Sequence, residues 1–200
     1  MSDRALASDS SAQARPSFFA RQLHDLLRRR WRQRQFVGIA FVVLLCWLGG
    51  APAVAPYVAG CVLVVAGELF RLWASGHVKK DKQLANDGPY SMVRHPLYTG
   101  NLTLLAGFCL ACGLWWSWPA ACLLVLLFYP PTIAKEDRKL HGLFGEQWET
   151  WAARTPALLP TRLPSRSAGR WSLRQSLMEN GEPLYALGFA VGLYFLGKGL

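Results

Sequence analysis

FVGIAFVVLLCWLGGAPAVAPYVAGCVLVVAG, residues 36–67, contains no charged side chain from Phe36 to Gly67. A helix needs roughly 20 apolar residues to cross a bilayer core, and this run exceeds that length. Gly49-Gly50-Ala51-Pro52 and Pro56 interrupt it, and glycine with proline punctuates a helix instead of continuing it. The stretch therefore reads as a hairpin, with arms at about 35–48 and 53–74. A second run, from His95 to Ala134, has no charged group apart from His95. It is broken at Trp115-Trp116-Ser117-Trp118-Pro119, aromatics of the kind that gather where lipid meets water. That predicts a second hairpin, about 99–114 and 119–133. A shorter apolar segment, Leu184 to Leu196, is read as a fifth span. The fold class expected is an all-α integral membrane protein. It has about five transmembrane helices in two hairpins plus a C-terminal span, flanked by cytoplasmic amphipathic helices and without a Rossmann domain.

The formal net charge of +10 raises the question of nucleic acid, because basic clusters attract phosphate. Its distribution answers in favour of a membrane. Residues 1–35 carry eight Arg against three Asp, residues 76–94 three Lys and one Arg, and residues 135–174 eight basic side chains, whereas the two inter-span turns carry none. Basic excess on one side of the spans is the positive-inside pattern, which assigns all three basic segments to the cytoplasm and excludes nucleic acid as partner. Ala53-Val54-Ala55 resembles a small-residue cleavage site, but the basic region before the first run is 35 residues long, so an uncleaved anchor is expected. Cys46, Cys61, Cys109, Cys112 and Cys122 all fall inside apolar spans and are read as packing residues.

Residues 1–20, rich in Ser and Ala, are expected to be disordered, and residues 21–200 to form a single membrane-embedded helical domain. Leu23, Leu27 and Trp31 recur every four residues among six arginines, the pattern of a basic amphipathic helix on an anionic membrane face. Pro130-Pro131 is expected to kink or break the fourth span. Beyond it, Leu140, Phe144, Trp148 and Trp151 form the stripe of a second amphipathic helix. Glu136 and Asp137 then stand at the membrane junction, either as a helix-start feature or as the wall of a polar pocket.

No dinucleotide fingerprint or phosphate loop occurs, and the four histidines lack partners at metal-ligand spacing, so no metal is expected. The chemistry concentrates in Gly88-Pro-Tyr-Ser-Met-Val-Arg-His-Pro-Leu-Tyr-Thr-Gly100, which brings Arg94, His95, Tyr90 and Tyr98 to the mouth of the third span. Ionisable groups at membrane depth are costly and mark a functional site. With Lys135-Glu136-Asp137, Phe144-Gly145, Trp148, Trp151, Arg154, Pro156 and Leu159-Pro160, this segment resembles the isoprenylcysteine carboxyl methyltransferase family and its phospholipid methyltransferase relatives.

The resemblance covers about Leu69 to Pro160. It implies a bundle of membrane helices that holds S-adenosylmethionine at the cytoplasmic face and methylates a lipophilic small molecule or lipid. Carried over by position, Leu84, Tyr90, His95, Pro96, Leu97 and Tyr98 line the cofactor pocket, and Glu136, with Asp137 beside it, closes it. Such a pocket needs an anion, from Glu136 or Asp137; hydrogen-bond donors, from Arg94 or His95; and an aromatic face, from Tyr90 or Tyr98. Arg94 either orients the acceptor, as the catalytic candidate, or pairs with Glu68 or Asp87 to fix the turn. Glu68 and Arg71 are expected to pair with one another. Asn180 and Glu182 are further candidates for the acceptor side of the pocket.

One departure bears on the acceptor. Thr132 occupies the position at which the prenylcysteine enzymes place a substrate arginine, and a hydroxyl cannot give a carboxylate a bidentate charged grip. The expected acceptor is therefore a lipophilic carboxylate, amine or thiol other than prenylcysteine. Two other readings share parts of the pattern: an NAD(P)H-dependent sterol-type reductase, which has a similar Arg-His-Pro segment and aromatic ending, and a non-enzymatic membrane scaffold.

Overall fold

A computed structural model describes residues 37–49, 53–78, 83–165, 171–179, 182–198 and 200. The amphipathic segment around Leu23 to Trp31, the expected disordered N-terminus, the lysines at 79, 80 and 82, and Asn180 lie outside the described residues. Among the described residues six α-helices follow one another: α1 (Val37–Leu48), α2 (Val54–Ser75), α3 (Pro96–Ala111), α4 (Ser117–Phe144), α5 (Glu146–Ala152) and α6 (Glu182–Gly197). Among the described residues there is no β-strand, only an isolated bridge between Gly88 and Ser165.

Two helices are long and apolar enough to cross a membrane, α2 with 22 residues and α4 with 28. At a rise of 1.5 Å per residue α2 extends about 33 Å, which matches a hydrocarbon core of about 30 Å. Both turn large apolar side chains outward, Val58, Val62, Val65 and Leu69 on α2 and Leu123, Leu126 and Leu127 on α4. Such continuous apolar surface is what lipid requires and water disfavours. The helices α1, α3 and α6 are apolar but shorter.

Glycine decides how closely α2 and α3 approach. Gly60 and Gly67 on α2 are seven residues apart, as are Gly100 and Gly107 on α3, so each pair occupies one face. A Cβ on Gly60 would lie 2.6 Å from the Gly107 carbonyl oxygen, and one on Gly107 would lie 2.8 Å from that of Gly60. The Gly67 and Gly100 positions repeat the pattern at 2.9 and 3.0 Å. In lipid no hydrophobic force separates helix contacts from lipid contacts, so close backbone packing at small residues supplies the attraction. Phe41 and Leu45 of α1, Val64 of α2, Leu104 and Phe108 of α3, Ala121 of α4 and Leu196 of α6 close around this seam as the core. Cys109 and Cys112 are buried in the same cluster as free thiols, in keeping with a packing role.

Gly67→Leu is expected to destabilise the protein by about 1–3 kcal/mol or more, because the obstacle is backbone and cannot rotate away. Gly188→Leu, where nothing lies within 4 Å of a new Cβ, is expected to be neutral. Thermal unfolding in detergent checks the pair; equal midpoints would remove the glycine seam as the reason for the approach.

The fourth helix corrects one of two alternatives, a kink or a break at Pro130-Pro131. Pro130 and Pro131 do not break it; α4 runs unbroken to Phe144 and stops at Gly145, whose φ of +51° is open to glycine and strained for other residues. Prolines are tolerated in membrane helices where side chains satisfy nearby backbone groups, and the Thr132 hydroxyl donates to the Phe128 carbonyl at 2.6 Å. Glu136 and Asp137 thus lie inside a helix, not at its start, so a helix-start role for them is excluded.

Candidate functional site

Proline places His95. Pro96 opens α3 at its first helical position, where a missing N–H costs nothing, and the residue before a proline is pushed out of the helical region. His95 accordingly caps α3 with φ −123°. The 156–158 segment holds this corner by its carbonyls: the Arg94 amide donates to Pro156 O at 2.8 Å and that of His95 to Ala157 O at 3.0 Å. The Thr99 hydroxyl donates to Leu158 O at 2.6 Å.

Because α4 continues past its prolines, Tyr129, Ile133 and Asp137 fall on one face at four-residue spacing, and Tyr129 and Asp137 meet Tyr98 and His95 at the start of α3. His95 Nε2 is 3.0 Å from Asp137 Oδ1. Asp137 Oδ2 lies 3.4 Å from an Arg94 guanidinium nitrogen, and His95 Nδ1 lies 3.7 Å from Glu136 Oε2. The two carboxylates differ in setting: the Asp137 side chain is 17% exposed and that of Glu136 46%. The His95 ring stacks on Tyr98 at 5.6 Å, and Tyr98 meets Tyr129 edge to face at 5.5 Å.

Arg94, His95, Tyr98, Glu136 and Asp137, all predicted site residues, are therefore gathered at one place. Arg94 has Asp137 as its ion partner, while Glu68 is approached by Arg71, so of the alternatives for Arg94 the pairing with Glu68 gives way to this arrangement. Tyr90 is buried in the 3-10 turn Pro89–Ser91, and its carbonyl accepts the Trp151 indole N–H at 3.1 Å. Burial first, and then the nearby Glu136 charge, push the Tyr90 phenol far above its ordinary range, so it stays a neutral hydroxyl. Leu84 and Pro96 are buried and Leu97 is half-buried, apolar surfaces that carry no polar link to the cluster.

Two donors beside Asp137 lack partners. Arg94 Nε and Trp148 Nε1 are buried without a hydrogen bond, and the Arg94 guanidinium lies over the Trp148 ring at 5.8 Å. Leaving such groups unpaired costs about 1–3 kcal/mol each, so an acceptor group is expected to meet them. The corner thus offers carboxylates for a cation, adjacent free N–H donors for an anion, and aromatic faces.

A second polar cluster adjoins it. Arg71 of α2 donates to Glu182 of α6 from Nε at 3.2 Å and from a terminal nitrogen at 2.9 Å, and Glu68 lies 3.6 Å from its Nε. Arg71 also hydrogen-bonds Asn101 of α3 and lies over the Tyr185 ring at 5.3 Å. The expected Glu68–Arg71 pairing is present. Sequence reading missed Asn101 and Tyr129, because a count of charges passes over uncharged polar residues in an apolar helix. Among the described residues no group of three or more side chains is arranged to hold a metal.

Residues 52–142 match the isoprenylcysteine carboxyl methyltransferase family. Over 93% of its length the chain is 28% identical to the cobalt-zinc-cadmium resistance protein CzcN of Cupriavidus metallidurans, covering 90% of that protein. The nickel-cobalt-cadmium resistance protein NccN of Alcaligenes xylosoxydans is 36% identical over half of this chain and 48% of its own. The protein-S-isoprenylcysteine O-methyltransferase of Schizosaccharomyces pombe is 29% identical over 52% of this chain and 44% of its own. The chain thus spans about half the length of the last two relatives. No solved structure matches it.

Proposed function

From the match of residues 52–142 to the isoprenylcysteine carboxyl methyltransferase family we propose that the chain methylates a lipophilic acceptor reaching the His95–Asp137 corner from the bilayer. It is an S-adenosylmethionine-dependent methyltransferase and a membrane protein. The observation that carries the proposal is the pairing of unpartnered donors with carboxylates in one corner.

S-Adenosylmethionine has a carboxylate, an ammonium and a sulfonium, and the corner fits each. Arg94 Nε and Trp148 Nε1, orphaned and adjacent, receive the carboxylate. Asp137 and Glu136 face the cationic groups, and Tyr90, Tyr98, Leu84, Pro96 and Leu97 supply walls. Arg94, expected to orient the acceptor, is on this reading a cofactor residue. The group supplies an electrophilic methyl carbon on a sulfonium. The residues of the chain align the reactants and exclude water, and positioning of this kind is worth roughly 7–11 kcal/mol. No nucleophilic side chain is needed, and Tyr90 stays a neutral hydroxyl.

We further propose that the shorter helices α1, α3 and α6 also pass through the membrane and that the corner faces the cytoplasm, on the asymmetry of basic residues. In a cysteine-free background, Ala51→Cys and Lys80→Cys are expected to react with an impermeant thiol reagent from opposite sides; reaction from the same side would remove the hairpin. The activity itself is tested by incubating purified protein in nanodiscs with a lipid extract and S-adenosylmethionine carrying a labelled methyl. Label is expected in the organic phase. Its absence with every lipophilic acceptor class tried would overturn the proposal.

A further inference from the structure

We propose that the buried triad Glu68–Arg71–Glu182, which meets α3 at Asn101, six residues beyond His95, is the head-group site for the methyl acceptor and takes a lipophilic primary amine, an inference that rests on the methyltransferase reading above. The argument begins with charge. One guanidinium stands against two carboxyl groups, so with both ionised the triad has one negative charge in excess. Glu182 is 1% exposed and Glu68 8%. An uncompensated buried charge is strongly unfavourable, more so among apolar helices, and marks a site whose counter-charge comes from outside the chain.

Glu68 shows where that counter-charge goes. Glu182 is satisfied by three hydrogen bonds from Arg71, whereas both oxygens of Glu68 are buried without any. A carboxylate has about four acceptor positions, and an ammonium with three N–H donors is the partner that fills them. Access runs from the lipid, since Val65 and Leu69, flanking Glu68 on α2, are exposed apolar side chains. An alkyl tail can lie along that surface while the head turns inward. Asn101, to which Arg71 hydrogen-bonds, stands on α3, the helix that His95 caps and whose first turn carries Tyr98.

The same charges disfavour a carboxylate acceptor. Arg71 is taken by Glu182, Arg94 is paired with Asp137, and the Thr132 hydroxyl donates back into its own helix. An incoming carboxylate would meet the carboxylate of Glu68, whose oxygens have no hydrogen bond, a repulsion that rises as the local dielectric falls. An ammonium must be neutral before it attacks, and Glu68 accepts its proton. The nitrogen lone pair then forms the N–C bond as the methyl–sulfur bond breaks, the sulfur keeps that electron pair and leaves as a neutral thioether, and the product is a protonated secondary amine. Glu182 and Tyr185 lie outside residues 52–142, so α6 completes the acceptor side.

The test uses the full chain in phosphatidylcholine nanodiscs, with decylamine and decanoate as acceptors of matched tail and labelled S-adenosylmethionine as donor. Mild base separates the products, because it releases label from a methyl ester and leaves an N-methyl amine intact. Base-stable label from decylamine is expected in at least tenfold excess over label from decanoate. Decylamine without cofactor is expected to raise the unfolding temperature, and decanoate to leave it unchanged. In Glu68→Gln, S-adenosylhomocysteine binding is expected to persist while the thermal shift disappears and amine methylation falls at least tenfold. Preferential base-labile product, an unaltered Glu68→Gln protein, or no label from either acceptor while S-adenosylhomocysteine still binds would each overturn the amine site. Failure of the wild-type protein to bind S-adenosylhomocysteine is a separate result and would overturn the methyltransferase reading on which the acceptor role rests.

Discussion

Asp137→Asn is expected to lower S-adenosylhomocysteine affinity by at least tenfold and to remove most methyl transfer, while the helices still fold. The side chain serves two partners at once, Oδ1 at 3.0 Å from His95 Nε2 and Oδ2 at 3.4 Å from Arg94. An asparagine keeps the shape but loses the charge, leaving Arg94 without an anion beside its unpartnered Nε. Removing one member of a mostly buried charge pair costs about 2–5 kcal/mol, and 1.4 kcal/mol is tenfold in affinity. Glu136→Gln is the informative comparison. Its side chain is 46% exposed and stands 3.7 Å from His95, so water screens the interaction and the loss is expected to be smaller. Calorimetric titration of both variants checks the order; an effect of Glu136→Gln larger than that of Asp137→Asn would reverse the assignment of the principal anion.

Arg71→Ala is expected to act on stability instead, by about 3–5 kcal/mol, because it strands Glu182 and Glu68 without a cation among apolar helices. That is a large share of the 5–15 kcal/mol by which folded proteins exceed their unfolded states, so little folded protein is expected at 37 °C. Replacing the triad together, Arg71→Met with Glu182→Met and Glu68→Leu, is expected to recover much of the loss, since buried ionic groups exchanged for apolar residues are often neutral or stabilising. Recovery of the fold without recovery of amine methylation would assign the triad to chemistry. Fluorescence-detected elution from a sizing column reports the folded fraction, and a fully folded Arg71→Ala protein would contradict the accounting of charge.

Much of this arrangement was legible from residue order. Charge-free runs located α2 and α3 to within about three residues at each end, because glycine, proline and aromatic breaks bound each apolar run. The pattern Arg94-His95-Pro96 was legible as chemistry because ionisable groups are rare at such a place. What was not legible follows from distance and context. Glu182 was only one weak candidate, since its partner Arg71 is 111 residues away and no local spacing relates them. The run of α4 through Pro130-Pro131 was hidden because two prolines in sequence read as a stop. Only the completed helix, ended by a glycine with positive φ, shows that Asp137 is placed by helical periodicity from Tyr129.

The central claim is that the corner formed by Arg94, His95, Trp148 and Asp137 is a cofactor site for S-adenosylmethionine. Titrating S-adenosylhomocysteine into the purified chain by calorimetry, with NADPH titrated in parallel, tests it most directly. Saturable binding of S-adenosylhomocysteine, weakened at least tenfold by Asp137→Asn, is the predicted result, with no heat from NADPH. Saturable binding of NADPH with none of S-adenosylhomocysteine would contradict the account and make the chain a reductase.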